Sequence, residues 1–475
     1  MSPVVVLFLL VNAAALLALP RRWAPLPLLV GACYVTRSQS IELAMFTFTV
    51  MQVLIVVGVA RVLVRGEWRQ PEANGLDCLV VLWGTWLALS VLFHDDVAQQ
   101  MVKRLGLVFD GWGLYFLFRV FCQTRQEIAR LCSVVAALLV PVAAAMLVEK
   151  VTAYNIFSVL GDIPMTPRMR GGELRAQGPF NISILAGNVG AVTLPLMIGL
   201  WGIRRPLSAL GIVACVAMVY ASFSSGPIVS AAAGIMALLA WRFRFHMRRL
   251  QWAAVVTYVA LEVVMQAPAY YLIARVDLTG SSTGWHRARL IESAFGHLSE
   301  WWLVGTDYTR HWMPTGITWS SDHTDITSHY LNMGVFGGLP LMLLFVAVLL
   351  KAFGLVGRGL RAASAGDAAS AGDARHQFAL WACGASLFAH AATCISVYYA
   401  DQSIIFLYLS LALAGSMLVA GATSLDAERL PAPARVRTVK PRLPLRVASR
   451  GRRRLAARRT QGAAAVHVGT RRRRP

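Results

Sequence analysis

Three groups of residues have the types and spacing to do chemistry. The stretch 149–181, EKVTAYNIFSVLGDIPMTPRMRGGELRAQGPFN, sets Arg168, Arg170 and Arg175 near Gly171, Gly172 and Gly178. Arginine's planar fork matches the paired oxygens of a phosphate or diphosphate. Glycine lets an anion come close to the backbone. An anion site is expected here, with Arg175 favoured because it stands at the mouth of the next apolar run. The plain alternative is a solvated loop with ordinary charges.

The second group is Arg287 and Arg289, in a stretch whose apolar residues recur at helical spacing (Leu290, Ile291, Ala294, Phe295, Leu298, Trp302). Residues two apart do not share a helix face. One of the pair should point to a site, Arg287 being the better placed, and the other to headgroups or solvent. The third group is His323, Asp325 and His329 in SSDHTDITSHYLNMGVFGGLP. A histidine and a carboxylate at a membrane interface can serve a hydroxyl as general acid or base. Two histidines and an aspartate also invite a metal. No third ligand motif accompanies them, so no metal is assigned. Asp325, Thr327 or Ser328 can instead cap a helix starting near His329.

The elements that must hold these residues are membrane spans. The chain has 475 residues, of which 57% are hydrophobic and only 14% charged, with a mean hydropathy of +0.58. Soluble chains carry about 25% charged residues. This composition excludes a cytosolic enzyme, a secreted domain, a coiled coil and a disordered chain. Apolar runs lie at about 3–19, 23–35, 41–60, 77–93, 105–118, 131–148, 182–202, 207–222, 226–241, 251–267, 330–350, 378–396 and 403–421, of which 23–35 is short for a ~30 Å core and reads as a tilted or re-entrant element. They predict an all-α, polytopic integral membrane protein of about 12–13 transmembrane helices. The first run lacks a basic leader and a small-residue cleavage site, so it reads as a retained span.

Arginine and lysine near the span ends set the orientation. Arg21-Arg22, the loops Arg61–Arg69 and Arg119–Arg130, Arg204-Arg205, and the loops Arg242–Arg249 and Lys351–Arg375 fall on one side in step. That side is taken as cytoplasmic. The long loops 149–181 and 268–329 then face outward. The second loop holds five of the ten histidines and five of the fourteen tryptophans, and its 285–303 portion reads as an amphipathic helix on the membrane surface. Beyond it, 305–328 reads as irregular loop. FSSGP at 223–227 reads as a tight outer hairpin.

From Gly421 onward, 16 Lys and Arg stand against Asp426 and Glu428, so +14 of the net +22 sits in the last 55 residues. Residues 422–475 are expected to be a disordered, cytoplasmic basic tail drawn to anionic lipid rather than to nucleic acid. The seven cysteines (Cys33, Cys78, Cys122, Cys132, Cys215, Cys383 and Cys394) lie in or beside apolar runs with no CxxC, so neither disulfides nor zinc are indicated. Charges inside the runs are few. Asp110 and Glu262 are the deepest, with Glu42 nearer an end, and each is a functional candidate. His390 reads as a hydrogen-bonded bundle residue.

Four stretches carry a resemblance. They are EKVTAYNIF at 149–157 leading to RAQGPF at 175–180; FSSG at 223–226; GWHRARLI at 284–291 with WWLVG at 301–305; and DITSHYL at 325–331 with GVFGGL at 334–339. In this order and loop placement the chain resembles the O-antigen ligase and polysaccharide polymerase superfamily of bacterial envelope enzymes, and most resembles its exopolysaccharide-polymerase branch. The resemblance implies a GT-C-like domain over 1–421, seated in the bacterial inner membrane with its active face periplasmic.

It also implies a glycosyltransferase that moves a polyprenyl-diphosphate-linked glycan onto a sugar hydroxyl without metal or cofactor. Membrane lipids, chain-length regulators and export proteins are the further partners. Arg175 and Arg287, with Arg170 and Arg289 beside them, then hold the diphosphate. The family's acceptor-side His-Asn pair falls on Thr327 and Ser328, which leaves His329, His323 or Asp325 to activate the acceptor. A ligase acting on lipid A core is the near alternative. A lipid-linked-glycan flippase and a scaffold recruiting partners through its arginine tail are the rivals from other classes.

Overall fold

The computed structural model describes residues 3–36, 39–43, 46–69, 72–161, 163–275, 284–313, 320–364 and 371–429. The order begins α1 (Pro3–Ala18), α2 (Pro25–Tyr34), the hairpin β1 (Ser40–Leu43) and β2 (Phe46–Thr49), α3 (Val50–Val64), α4 (Gly75–Leu89), α5 (Val97–Phe121) and α6 (Arg125–Thr152). A second hairpin, β3 (Arg168–Arg170) and β4 (Glu173–Arg175), precedes α7 (Ser183–Leu200), α8 (Arg205–Ser222), α9 (Ser225–Leu239) and α10 (Met247–Val264). Then come α11 (Leu272–Arg275), α12 (Gly284–Gly296), α13 (Leu298–Trp301), α14 (His329–Ser364), α15 (Ala371–Ser396) and α16 (Ile404–Arg429).

Capping chemistry sets several of these starts. Thr49 with Gln52, Asn74 with Asp77 and Thr124 with Glu127 each form a reciprocal capping box, at α3, α4 and α6.

The chain is a mostly helical, multi-pass membrane protein. Among the described residues, seven helices are long and apolar enough to cross a bilayer, or eight if α10 and the segment Ala269–Arg275, bent by 94° from it, are one span. That is fewer than the 12–13 spans read from hydropathy, and the causes are local. The 23–35 run is a ten-residue helix, too short for a 30 Å core. The first half of the 41–60 run is the β1–β2 hairpin. Helices α1 and α3 are apolar but short. Helix α5 is long, but Lys103, Arg104, Asp110 and Arg119 interrupt its apolar character.

Of the lone charges, Glu262 accepts the Ala269 N–H at 2.8 Å and so braces the bend after α10. His390 bonds Tyr399 Oη at 2.8 Å and Ser410 Oγ at 3.3 Å within the bundle. All seven cysteines are free. The run 351–364, read as loop, continues α14. The basic tail beyond Arg429 lies outside the described residues, as do 276–283 and 314–319 of the 268–329 loop.

Helix α7 is the mast of the bundle: 89% of its spanning window is buried, and it packs against α8, α9 and α15. The C-terminal ends of α6, α8 and α15 meet the N-terminal ends of α7, α9, α14 and α16 at one face of the bundle.

Helix α14 is broken at Gly337-Gly338, and Gly338 has φ 72° and ψ −173°, a region open essentially to glycine alone. The break leaves the Val335 carbonyl and the Leu339 N–H to dock the 302–306 segment. Leu339 N–H donates to Trp302 O at 2.8 Å and Thr306 N–H to Val335 O at 3.0 Å. Trp86 Nε1–H donates to Gly337 O at 2.8 Å. A Cβ on Gly338 would clash with the Leu303 carbonyl oxygen. Gly338→Ala is expected to cost about 1–3 kcal/mol, read as a lowered melting temperature of the detergent-purified protein. An unchanged melting curve would contradict this account of the break.

Candidate active site

At the face where those helix ends meet lies a cavity of about 300 Å³ whose lining includes Arg168, Arg170, Arg175, Arg287, Asp325 and Thr327. Its walls come from distant stretches of chain: the β3–β4 hairpin, the start of α7, the turn between α8 and α9, α12, the segment before α14, and the residues that close α15 and follow it.

The hairpin explains the first three arginines. Gly171 and Gly172 both have positive φ, 59° and 81°, as a two-residue turn with right-handed strand twist requires. Arg168 pairs with Arg175 and Arg170 with Glu173 across the strands. Side chains alternate along a strand, so all four fall on one face, with Met169 and Leu174 on the other. Gly171 and Gly172, two of the three glycines read from sequence as openings for a phosphate, form the turn that builds this face. Lys150 holds the hairpin from behind: its Nζ donates to Leu174 O at 2.9 Å and to Glu173 Oε2 at 3.3 Å.

Arg175 is fixed more tightly. Its Nη2 donates to Ser224 Oγ at 2.5 Å. The backbone just after it is gathered by Glu149, only 1% exposed, whose carboxylate accepts the N–H groups of Gln177 at 3.1 Å and Gly178 at 2.7 Å. Asn155 Nδ2 donates to the same carboxylate and to Gly178 O. From the far side, Asn181 N–H donates to Asp401 Oδ2 at 2.8 Å and Gln402 Nε2 to Pro179 O at 2.7 Å. Neither Glu149 nor Ser224 was singled out from the sequence. A carboxylate closing a long apolar run was the available signal for Glu149.

Helix α12 brings Arg287 to the cavity and turns Arg289 away. Arg289 is exposed and paired with Glu292 at 2.6 Å, so its expected part in diphosphate binding is corrected to a surface ion pair. His286 Nε2, 3.3 Å from the Asp325 carbonyl oxygen, ties α12 to the segment before α14. Of the three acceptor-side candidates, only Asp325 lines the cavity.

His329 is 2% exposed, packed among the rings of Phe345, Tyr398 and Tyr399. Stacking on Tyr398, which does line the cavity, leaves it one ring behind the surface. His323 sits beside Thr309 Oγ1 at 3.4 Å and does not line the cavity. Ser328 takes the capping role, accepting from Leu331 N at 3.4 Å, so Asp325 is not consumed as a cap.

The electrostatics are lopsided: four guanidinium groups face one carboxylate. Burial first, then Arg170, Arg168 and Arg287, push Arg175 down from arginine's ordinary range to about 10. Burial and Arg170 lower Arg287, against a partial pull from Asp325. Burial raises Asp325 above the ordinary aspartate range, opposed by His286 and Arg287. Arg175 Nε, Arg287 Nε and Thr327 Oγ1 are buried without hydrogen-bond partners among the described residues. Unmet buried donors are costly. Here they ring a cavity of the size and sign for a phosphate-bearing ligand.

No protein-family model and no curated protein matches this chain.

Opposite shifts in stability follow. Glu149→Gln puts an amide where two backbone N–H groups need an acceptor and should cost about 1–3 kcal/mol. Arg168→Ala removes the like charge that stands directly opposite Arg175 across the hairpin and should leave the ligand-free protein as stable or up to about 1 kcal/mol more stable. Thermal unfolding of both variants in the same detergent checks the pair of signs.

Proposed function

We propose that this chain is a glycosyltransferase that moves a polyprenyl-diphosphate-linked glycan onto a sugar hydroxyl, extending an exopolysaccharide or similar polymer. The observation that carries the reading is the convergence of Arg168, Arg170, Arg175 and Arg287 on one cavity with a single carboxylate, Asp325. In the transfer, the bond from the sugar's anomeric carbon to the diphosphate oxygen breaks, and the diphosphate leaves with the electron pair. The acceptor oxygen bonds to that carbon and gives up its proton. Guanidinium groups in a half-dry site neutralise the charge that develops on the leaving group.

Asp325 receives the acceptor proton. A raised affinity for protons suits a general base working near neutral pH, and burial supplies that shift. Thr327 Oγ1 offers a further hydrogen bond at the same wall. His329, behind Tyr398, supports the ring that lines the cavity and does not touch the acceptor.

The cavity lies at the ends of the bundle helices, which suits a donor whose tail stays in the bilayer while its sugars face water. On this reading the fold is GT-C-like, the cavity opens to the periplasm across the inner membrane, and the basic tail is cytoplasmic. The donor, a glycan acceptor and the surrounding lipid are its partners.

Arg175→Ala and Arg287→Ala should each lower transfer from a synthetic polyprenyl-diphosphate glycan by about 10²-fold or more. Arg289→Ala should leave it within about twofold, and all three proteins should still sit in the membrane. Full transfer by Arg175→Ala would contradict the proposal, and so would loss of transfer only in Arg289→Ala.

A further inference from the structure

We propose that His297, Glu300 and His311 form a divalent-metal site of the zinc type, separate from the arginine cavity. None of the three lines that cavity. One ligand atom from each lies within 4.8 Å of the others.

The three come from different turns of the outer loop. His297 fills the break between α12 and α13, Glu300 lies on α13, and His311 sits in the single turn Arg310–Trp312. Zinc binds imidazole nitrogen and carboxylate oxygen at about 2.0–2.2 Å, so neighbouring tetrahedral ligands stand about 3.3 Å apart. His311 Nε2 is already 2.9 Å and 3.1 Å from the two Glu300 oxygens. A small side-chain adjustment by His297 completes a three-ligand face and leaves the fourth position for water.

The surroundings aim these groups. His297 Nδ1 lies 2.8 Å from Ser293 O. A proton donated there fixes the tautomer with the lone pair on Nε2, the usual outer-shell device for a metal-binding histidine. Trp312 Nε1–H donates to Glu300 Oε2 at 3.1 Å, and the Trp312 ring stacks over His297. Trp312 is itself anchored in a small core with Trp301, Leu290 and Ala294, so the ligands stand on fixed elements.

A surface ion pair between His311 and Glu300 accounts for two members but not for His297, whose ring meets His311 edge-on at 4.8 Å. The His311 and Glu300 side chains are each 37% exposed, so a metal from solution reaches them. Bound there, the ion pins the C-terminal end of α12 to the 310–312 turn. Helix α12 carries Arg287, so the metal stiffens one wall of the arginine cavity without entering it. The site stands independently of the glycan-transfer reading.

The test uses the full-length chain in detergent, stripped with EDTA and dialysed against Zn²⁺, with bound metal quantified. One zinc per chain is expected. His297→Ala, Glu300→Gln and His311→Ala should each weaken binding at least about tenfold, while Arg289→Ala leaves it unchanged. Glu300→Gln keeps the side-chain shape and guards against loss from misfolding. Co²⁺ in place of zinc should give a visible tetrahedral spectrum without the thiolate charge-transfer band that cysteine ligation produces. Failure to bind zinc stoichiometrically, equal binding by the His297→Ala/His311→Ala double variant, or a thiolate band would each overturn the proposal.

Discussion

Guanidinium groups repel one another, and the repulsion grows as water is withdrawn. Bringing Arg168, Arg170, Arg175 and Arg287 to one half-buried cavity with only Asp325 in opposition is unfavourable unless an anion completes the balance. Burial first, and the neighbouring guanidinium groups after it, lower the proton affinity of Arg175 and Arg287. Their partnerless Nε donors add a deficit in hydrogen bonds. The proposed diphosphate would answer both deficits together, since it brings negative charge and paired acceptor oxygens in the geometry of arginine's fork.

The fold keeps this arrangement in place by means remote from the arginines. Glu149 gathers the backbone after Arg175, and Asp401 and Gln402 gather it again from the start of α16. Buried α7 gives those clamps a fixed mast. On the opposite wall, the break in α14 at Gly337-Gly338 leaves the Val335 carbonyl and the Leu339 N–H to dock the outer loop. Arg287 thus stands on a helix that is anchored at a distance. Positioning by buried hydrogen bonds suits a site whose own charges push it apart.

The helical, membrane-bound architecture was legible in the sequence because burial in lipid demands long apolar runs, and those runs need no tertiary context to be read. The clustering of arginines in the 149–181 loop and the inward turn of Arg287 rather than Arg289 were legible for a related reason: helical spacing decides which of two near neighbours faces the protein. The span count was less legible, since hydropathy credited the hairpin before α3 as part of a crossing. The Arg-Gly-Gly-Glu turn was present as a two-residue hairpin signal but was masked by its resemblance to a phosphate loop. Glu149, Ser224 and the recession of His329 behind Tyr398 depend on contacts between segments far apart in the chain, and no local pattern encodes them.

The most direct test of the central claim is to map where a diphosphate lipid touches the chain. A polyprenyl diphosphate bearing a photoreactive group next to its phosphates would be crosslinked to the protein in bilayer nanodiscs, and the labelled peptides identified. This account predicts labels on both the 168–175 hairpin and the 284–296 helix, competed away by unlabelled diphosphate lipid. Labels confined to other parts of the chain, or labels on these two segments that competitor does not displace, would contradict it.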